Sequence, residues 1–336
     1  MTVPPVRRSR LYRLRNRPVC GLPVGTTALV RRSAASRLVG VTTKRRMVRF
    51  ALRIAATLPD RLSLVPLRPL ECLHGLTGLE AVLDIVGVDG SSWPAIFWPS
   101  QFERARAYVH LLDQEGRPRG FLKLAQARDA SALFRERDAL LIWNGGRGIV
   151  RTPKVISSGT DRLSGAAWLL VEPLPTGSRP LGRVPTEALL AEINGTRRDV
   201  AQPHLHKLTW WPALQERLPQ APATFREVLE RISSSGVSVS PTHGDLGAHN
   251  MVSDGLRLWV YDWEDATPDA PADTDRFGIN LFGTQPSEAL RRAAALPESQ
   301  QESFVWSCAF GWANRVGKWP SIVSMWDNWE GTLREL

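Results

Sequence analysis

The sequence predicts an α+β chain in two lobes, a small β-rich one followed by a larger, mainly helical one. Three observations lead there. Two apolar runs, Ala105–Leu112 and Gly120–Ala125, flank the turn-like Asp113-Gln-Glu-Gly-Arg-Pro118 and read as paired strands. The cluster Pro173-Leu-Pro-Thr-Gly177 punctuates the chain after a further apolar run, Ala167–Glu172. Beyond it helical spacing takes over, at Leu189, Leu190 and Ile193, at Trp210, Trp211, Leu214 and Leu218, and across Phe225–Ile232. A chain of 336 residues, 43% hydrophobic and 23% charged, is long and apolar enough for two cores.

Residues 1–50 stand apart. They hold twelve Arg and Lys44 with no Asp or Glu, a charge of +13, so the rest of the chain sums to −3 although the whole carries +10. Such a leader is expected to be disordered and able to touch an anionic surface. Its composition also fits a transit segment, and Met47 offers an alternative start. The body is mildly acidic, so no specific nucleic-acid partner is expected. The small lobe is expected over 51–176, with 58–85 packing on it, and the large lobe over 177–336. No apolar run approaches the ~20 residues of a membrane span. Cys20, Cys72 and Cys308 lie far apart and form no Cys-x-x-Cys pair. That argues against a zinc module or disulfide framework and for a reducing, cytoplasmic setting.

Lys123 is the only charge inside the apolar run Gly120–Ala125. A Lys there is costly to bury unless paired. A helix is expected from about Asp129 to Trp143, capped by Asp129 or Ser131. Leu133, Leu140 and Leu141 form its apolar stripe. Glu136 lies on the flank of that stripe and can meet Lys123, whereas Arg137 falls awkwardly near its centre.

The richest stretch is Pro241-Thr-His-Gly-Asp-Leu-Gly-Ala-His-Asn250, followed by Trp259-Val-Tyr-Asp-Trp-Glu264. Between them Asp254-Gly255 signals a tight hairpin. A two-residue turn would face Ser253 with Leu256 and bring Asn250 near Trp259. A small offset then sets Asp262 beside Asn250. An amide oxygen and a carboxylate suit Mg²⁺, which usually also takes substrate phosphates. Asp245, in the loop before the hairpin, is placed to accept a proton from a substrate hydroxyl.

These motifs resemble the kinase-like small-molecule phosphotransferases, the family of aminoglycoside and choline kinases. His243-Gly244-Asp245-Leu246 with Asn250 is similar to their catalytic loop, and Asp262-Trp263-Glu264 to their metal segment. The resemblance spans about residues 105–280. It implies a protein kinase-like fold and an ATP- and Mg²⁺-dependent transfer to a hydroxyl of a small molecule such as an aminoglycoside, sugar, polyol or amino alcohol. It further implies that Asp245 is the catalytic residue, that Asn250 and Asp262 hold the metal, and that Lys123, braced by Glu136, meets the nucleotide phosphates. His243 and an Asp after the metal segment brace the loop. Asp273 and Asp275 both qualify, and Asp275 is preferred. The phosphate-covering loop falls near 86–101, where no Gly-x-Gly-x-x-Gly is present. The alternatives are a catalytically silent kinase-like nucleotide-binding or scaffold protein, and an RNA binder working through the Arg leader.

Two features remain outside the motifs. Trp306, Trp312, Trp319, Trp326 and Trp329 cluster near the C-terminus. They suit either a core-facing stripe or the stacking wall of an acceptor pocket. His204 and His206 alternate as in a strand, with no third metal ligand nearby.

Overall fold

The structure is a computed structural model. It describes residues 8–14, 17–23, 26–36, 54, 67–69, 79–86, 92–98, 106–146, 148–181, 186–281, 284–315 and 319–328. The chain divides into two compact units, residues 1–145 with 152–178, and residues 146–151 with 179–336. The first is sheet-rich and the second mainly helical, so the class is α+β.

The first unit is built on one eight-stranded sheet. Its strands are β1 (Arg8–Leu14), β2 (Arg17–Pro23), β3 (Leu67–Pro69), β4 (Trp93–Phe97), β5 (Arg106–Leu112), β6 (Pro118–Ala125), β8 (Val155–Thr160) and β9 (Ala167–Val171), in the order β3-β1-β2-β4-β5-β6-β9-β8. The hairpin of β5 and β6 forms where Asp113 folds the turn, accepting bonds from the amides of Glu115 and Arg117. Register places Tyr108, Lys123 and Leu169 side by side across three strands. The alternating residues Val109, Leu122 and Leu170 face the other way, into a cluster with Ile96 and with Leu79, Val82 and Leu83 of α2 (Leu79–Ile85).

Within the segment expected to be disordered, two strands join this sheet and a helix packs beside them. β1 pairs with β2, and β2 pairs with β4 through Cys20↔Phe97 and Gly21↔Ile96. α1 (Ala28–Ser36) then buries Val30, Ala34 and Ala35 against Cys20, Leu22, Ala95, Phe97 and Leu112. Net charge misleads here for a physical reason. Strand pairing uses main-chain groups, and a few small apolar residues at the right positions suffice for a core. A chain begun at Met47 would lack β1, β2 and α1. The remainder of 1–50 lies outside the described residues.

The second unit holds two small sheets. One has the order β11-β12-β15, from Arg198–Val200, Val237–Thr242 and Thr267–Pro271; the other has the order β10-β13-β14-β7, from Arg179–Pro180, Met251–Ser253, Leu258–Val260 and Val150–Arg151. Around them pack α4 (Thr186–Asn194), α5 (Trp211–Arg217), α6 (Ala223–Ser233), α7 (Thr274–Leu281), α8 (Pro286–Ala294), α9 (Glu298–Asn314) and α10 (Trp319–Ser324). Three of the C-terminal tryptophans are core. Trp306, Trp319 and Trp326 are buried, with rings at 6.2 Å from Trp210, 5.9 Å from Phe304 and 4.9 Å from Phe225 respectively. Trp312 is half-buried and donates its indole N–H to the Arg217 carbonyl. Trp329 lies outside the described residues. His204 and His206 sit exposed on a 3₁₀ turn, Gln202–Lys207, rather than on a strand. Among the described residues no helix is long and apolar enough to cross a membrane.

Candidate functional site

In the first unit, β6 delivers Lys123 and the helix after it delivers Glu136. That helix, α3 (Ala130–Trp143), is entered through a 3₁₀ turn at Ala127–Asp129; Asp129 holds the cap position without a side-chain capping bond, and Ser131 lies inside the helix. Its inward stripe is Ala132, Leu133, Glu136 and Leu140. Arg137 is therefore on the flank, over the Phe134 ring and paired with Asp138. Lys123 Nζ donates to both Glu136 carboxylate oxygens, at 2.8 and 2.7 Å. The side chains are only 7% and 3% exposed, so both charges are taken out of water and each depends on the other. The Tyr108 ring centroid lies 5.8 Å from Nζ. The region expected to cover phosphates is described only at 86 and 92–98, largely as β4.

In the second unit, β12 leads into the loop that carries Asp245. Gly244 has φ 88°, and a Cβ there would overlap the Asp265 carbonyl, so the close turn requires glycine. Asp275, at the start of α7, is fully buried and accepts the amides of His243 at 2.8 Å and Gly244 at 3.0 Å. Burial pushes its carboxyl above the usual range, against the pull of His243, the Thr242 hydroxyl and these two amides. Of the two candidate aspartates, Asp275 is thus the one on the loop. Asp273 instead pairs with Arg197 and Arg276.

His243 is fully buried, 3.0 Å from the Tyr261 carbonyl through Nε2 and 4.7 Å from the Trp263 ring. Its Nδ1 has no hydrogen-bond partner. The tautomer with the proton on Nε2 fits that pattern, since a second ring proton would be buried without an acceptor. Burial accordingly lowers its pKa below the ordinary histidine value, against the opposing pull of Asp275.

Asp245 is half exposed. His249 Nε2 lies 3.1 Å from its Oδ2. Asn250 Nδ2 donates to the Asp245 carbonyl at 2.9 Å and lies 3.4 Å from Oδ2. That use of the amide nitrogen leaves the Asn250 side-chain oxygen as the atom a cation would take. The hairpin differs from the expected two-residue turn. Ser253 faces Leu258 and Met251 faces Val260. The Asp254 carboxylate holds the longer turn open by accepting from the amides of Leu256 and Arg257 and the Trp259 indole. Tyr261, not Trp259, therefore returns to Asn250, with its amide 3.1 Å from the Asn250 carbonyl. Asp262 follows directly, in a left-handed backbone conformation with φ 68°. The Tyr261 hydroxyl donates to the His249 carbonyl at 2.6 Å. Thr242 and Tyr261 are supports that the motifs did not single out, and the motifs gave no supporting role to His249, the Asp254 carboxylate or the Trp263 ring. Among the described residues no group of three or more His, Cys, Asp or Glu side chains is placed to hold a metal.

No family model and no curated protein matches the sequence. Among solved structures, the chain is similar to a thermostable mutant of the aminoglycoside phosphotransferase APH(4)-Ia in ternary complex with ADP and hygromycin B. The identity is 11%, the match covers 74% of this chain and 95% of that one, and the TM-score is 0.46. It is also similar to the macrolide 2'-phosphotransferase MphH from Brachybacterium faecium, at 14% identity, 74% and 97% coverage and TM-score 0.42. A third is a choline/ethanolamine kinase family protein from Mesorhizobium loti, at 13% identity, 66% and 78% coverage and TM-score 0.36. At these scores the likeness assigns the chain to no family.

Proposed function

We propose that the protein is an ATP- and Mg²⁺-dependent phosphotransferase acting on a hydroxyl of a small molecule. One observation carries the reading. Asp245 and Asn250 are held together on a loop clamped by Asp275, and Asp262 follows the strand that returns beside Asn250. The donor set fits Mg²⁺, which takes one or two protein oxygens and completes its shell with water and phosphate. Asn250 and Asp262 would hold it, and when bound it offsets charge on the phosphates. Asp245 orients the acceptor hydroxyl and takes its proton as the hydroxyl oxygen bonds to the γ-phosphorus and the bond to the leaving ADP breaks. The half exposure of Asp245 suits a group that must reach a substrate. Lys123 binds nucleotide phosphate, and Glu136 keeps that ammonium charged and fixed within the sheet. His243, neutral and buried, packs the loop and moves no proton. A cytoplasmic setting, where ATP is supplied, accords with the free, buried thiols Cys20 and Cys308.

The direct test is ATP consumption by the purified full chain against a panel of aminoglycosides, sugars, polyols and amino alcohols. Acceptor-dependent ADP formation that disappears in Asp245→Asn is expected. A rate unchanged by that substitution, with every acceptor, removes Asp245 from the chemistry.

A further inference from the structure

The second unit contains a cavity that the proposed chemistry leaves unused. It measures about 480 Å³ and lies where β12 begins, at the opposite end of the strand from His243. Arg197, Asp273, Arg276, Ser299 and Glu302 line it, above the buried rings of Phe277 and Trp306.

Asp273 is the pivot of this cavity. It is buried, and its backbone is left-handed with φ 69°, a strained state for a residue other than glycine. Its Oδ1 takes Arg197 Nη2 at 2.5 Å and Arg276 Nε at 3.2 Å. Arg276 is committed further, to Glu187 at 2.8 and 3.1 Å. Arg197 is not. Among the described residues it bonds through Nη2 alone, and its side chain is 55% exposed. Its remaining N–H groups form a fork of the shape that carboxylates and phosphates accept. The volume exceeds that of a bare anion, and Ser299 and Glu302 add groups that recognise hydroxyls.

We propose that this cavity binds a small hydroxylated anion, with its carboxylate or phosphate on Arg197 and its hydroxyls toward Ser299 and Glu302, and that occupancy is felt at the loop carrying Asp245. The path is short. Asp273 accepts the Phe277 amide at 2.9 Å in the first turn of α7, and two residues on from Asp273 is Asp275, which clamps His243 and Gly244. An anion that draws Arg197 from Asp273 changes the setting of the very segment that positions the clamp.

The test uses the full chain and two probes, gluconate for the carboxylate and glucose 6-phosphate for the phosphate. Calorimetry follows binding, and amide hydrogen exchange at His243 and Gly244 follows the coupling. Saturable binding of at least one probe is expected. It should weaken about tenfold in Arg197→Gln, the loss of one charge-assisted contact. It should also fail in Ser299→Trp, which fills the rim and leaves the Arg197–Asp273 pair in place. Exchange at His243 and Gly244 should respond to probe in the wild type only. Binding unchanged in both variants, or no binding of either probe, overturns the site, and binding with unaltered exchange overturns the coupling. Should Arg197→Gln fail to fold, Ser299→Trp decides alone. None of these readings depends on phosphoryl transfer, so the failure of the enzymatic reading would leave them interpretable.

Discussion

Each unit buries one carboxylate at its candidate site, and the two are held in opposite ways. Glu136 meets a side-chain cation, Lys123, at 2.7 and 2.8 Å. Asp275 meets main-chain amides, those of His243 and Gly244. A side-chain pair can be replaced as a pair. Apart from the Thr242 hydroxyl, the partners of Asp275 cannot be substituted, because they are the main chain of the loop itself. The first arrangement fixes a charge, and the second fixes a geometry.

The largest effect should therefore come from Asp275→Ala. It leaves two amides and the Thr242 hydroxyl without their acceptor, at about 1–3 kcal/mol each, and no second side-chain change should restore the loss. Urea unfolding and turnover measure it, and both should collapse together. Full activity in this variant would show that the loop keeps its shape without the clamp.

Glu136→Ala should cost about 3–5 kcal/mol, because it removes the carboxylate that pairs with a buried ammonium. Here a rescue exists. Lys123→Met combined with Glu136→Leu removes both charges and should regain most of the stability, while ATP-dependent turnover stays lost. A double-mutant cycle tests this. Additive losses would show that the two residues do not act through each other.

The acid side of the stability curve separates the sites further. Burial lowers the pKa of His243 below its unfolded value of about 6.5, so below that pH the unfolded chain binds a proton the folded chain resists. The stability is complete above that unfolded value and is lost as pH falls toward the lowered folded one, by at most about 1.4 kcal/mol per unit. The difference between wild type and His243→Gln, followed by thermal melting across that window, isolates the group. A pH-independent difference would mean that His243 titrates alike in both states.

The loop around Asp245 and the Lys123–Glu136 pair were legible because each depends on residue type at short spacing. Asp245 and Asn250 lie on one loop, and Lys123 is a lone charge in an apolar strand. The hairpin register was not, since it turned on Asp254 gathering three donors rather than on the Asp-Gly signal alone. The role of β1, β2 and α1 was hidden more deeply. Their pairing is made by main chain, which composition cannot report, and their core contribution rests on small residues such as Cys20, Ala34 and Ala35 scattered among arginines. Asp275 was already preferred over Asp273, and the directions of the two side chains separate them. Two aspartates two residues apart in sequence serve different neighbours, one the loop and the other a pair of arginines.

The smallest effect belongs to His249, and it probes a third way of holding a carboxylate. Its Nε2 lies 3.1 Å from Asp245 Oδ2, with Asp245 38% exposed and Asn250 also in reach. Water can replace part of such a contact, so its loss costs less than that of a buried one. His249→Phe should lower kcat by about tenfold or less and leave KM for ATP unchanged, as expected for a residue that orients Asp245 without touching nucleotide. His249→Asn, which keeps a side-chain donor, should recover part of the rate. Steady-state kinetics on the two variants decide the matter. Equal losses in both would mean that the ring supports the loop by packing. No loss in either would leave Asn250 as the group that sets the direction of the Asp245 carboxylate.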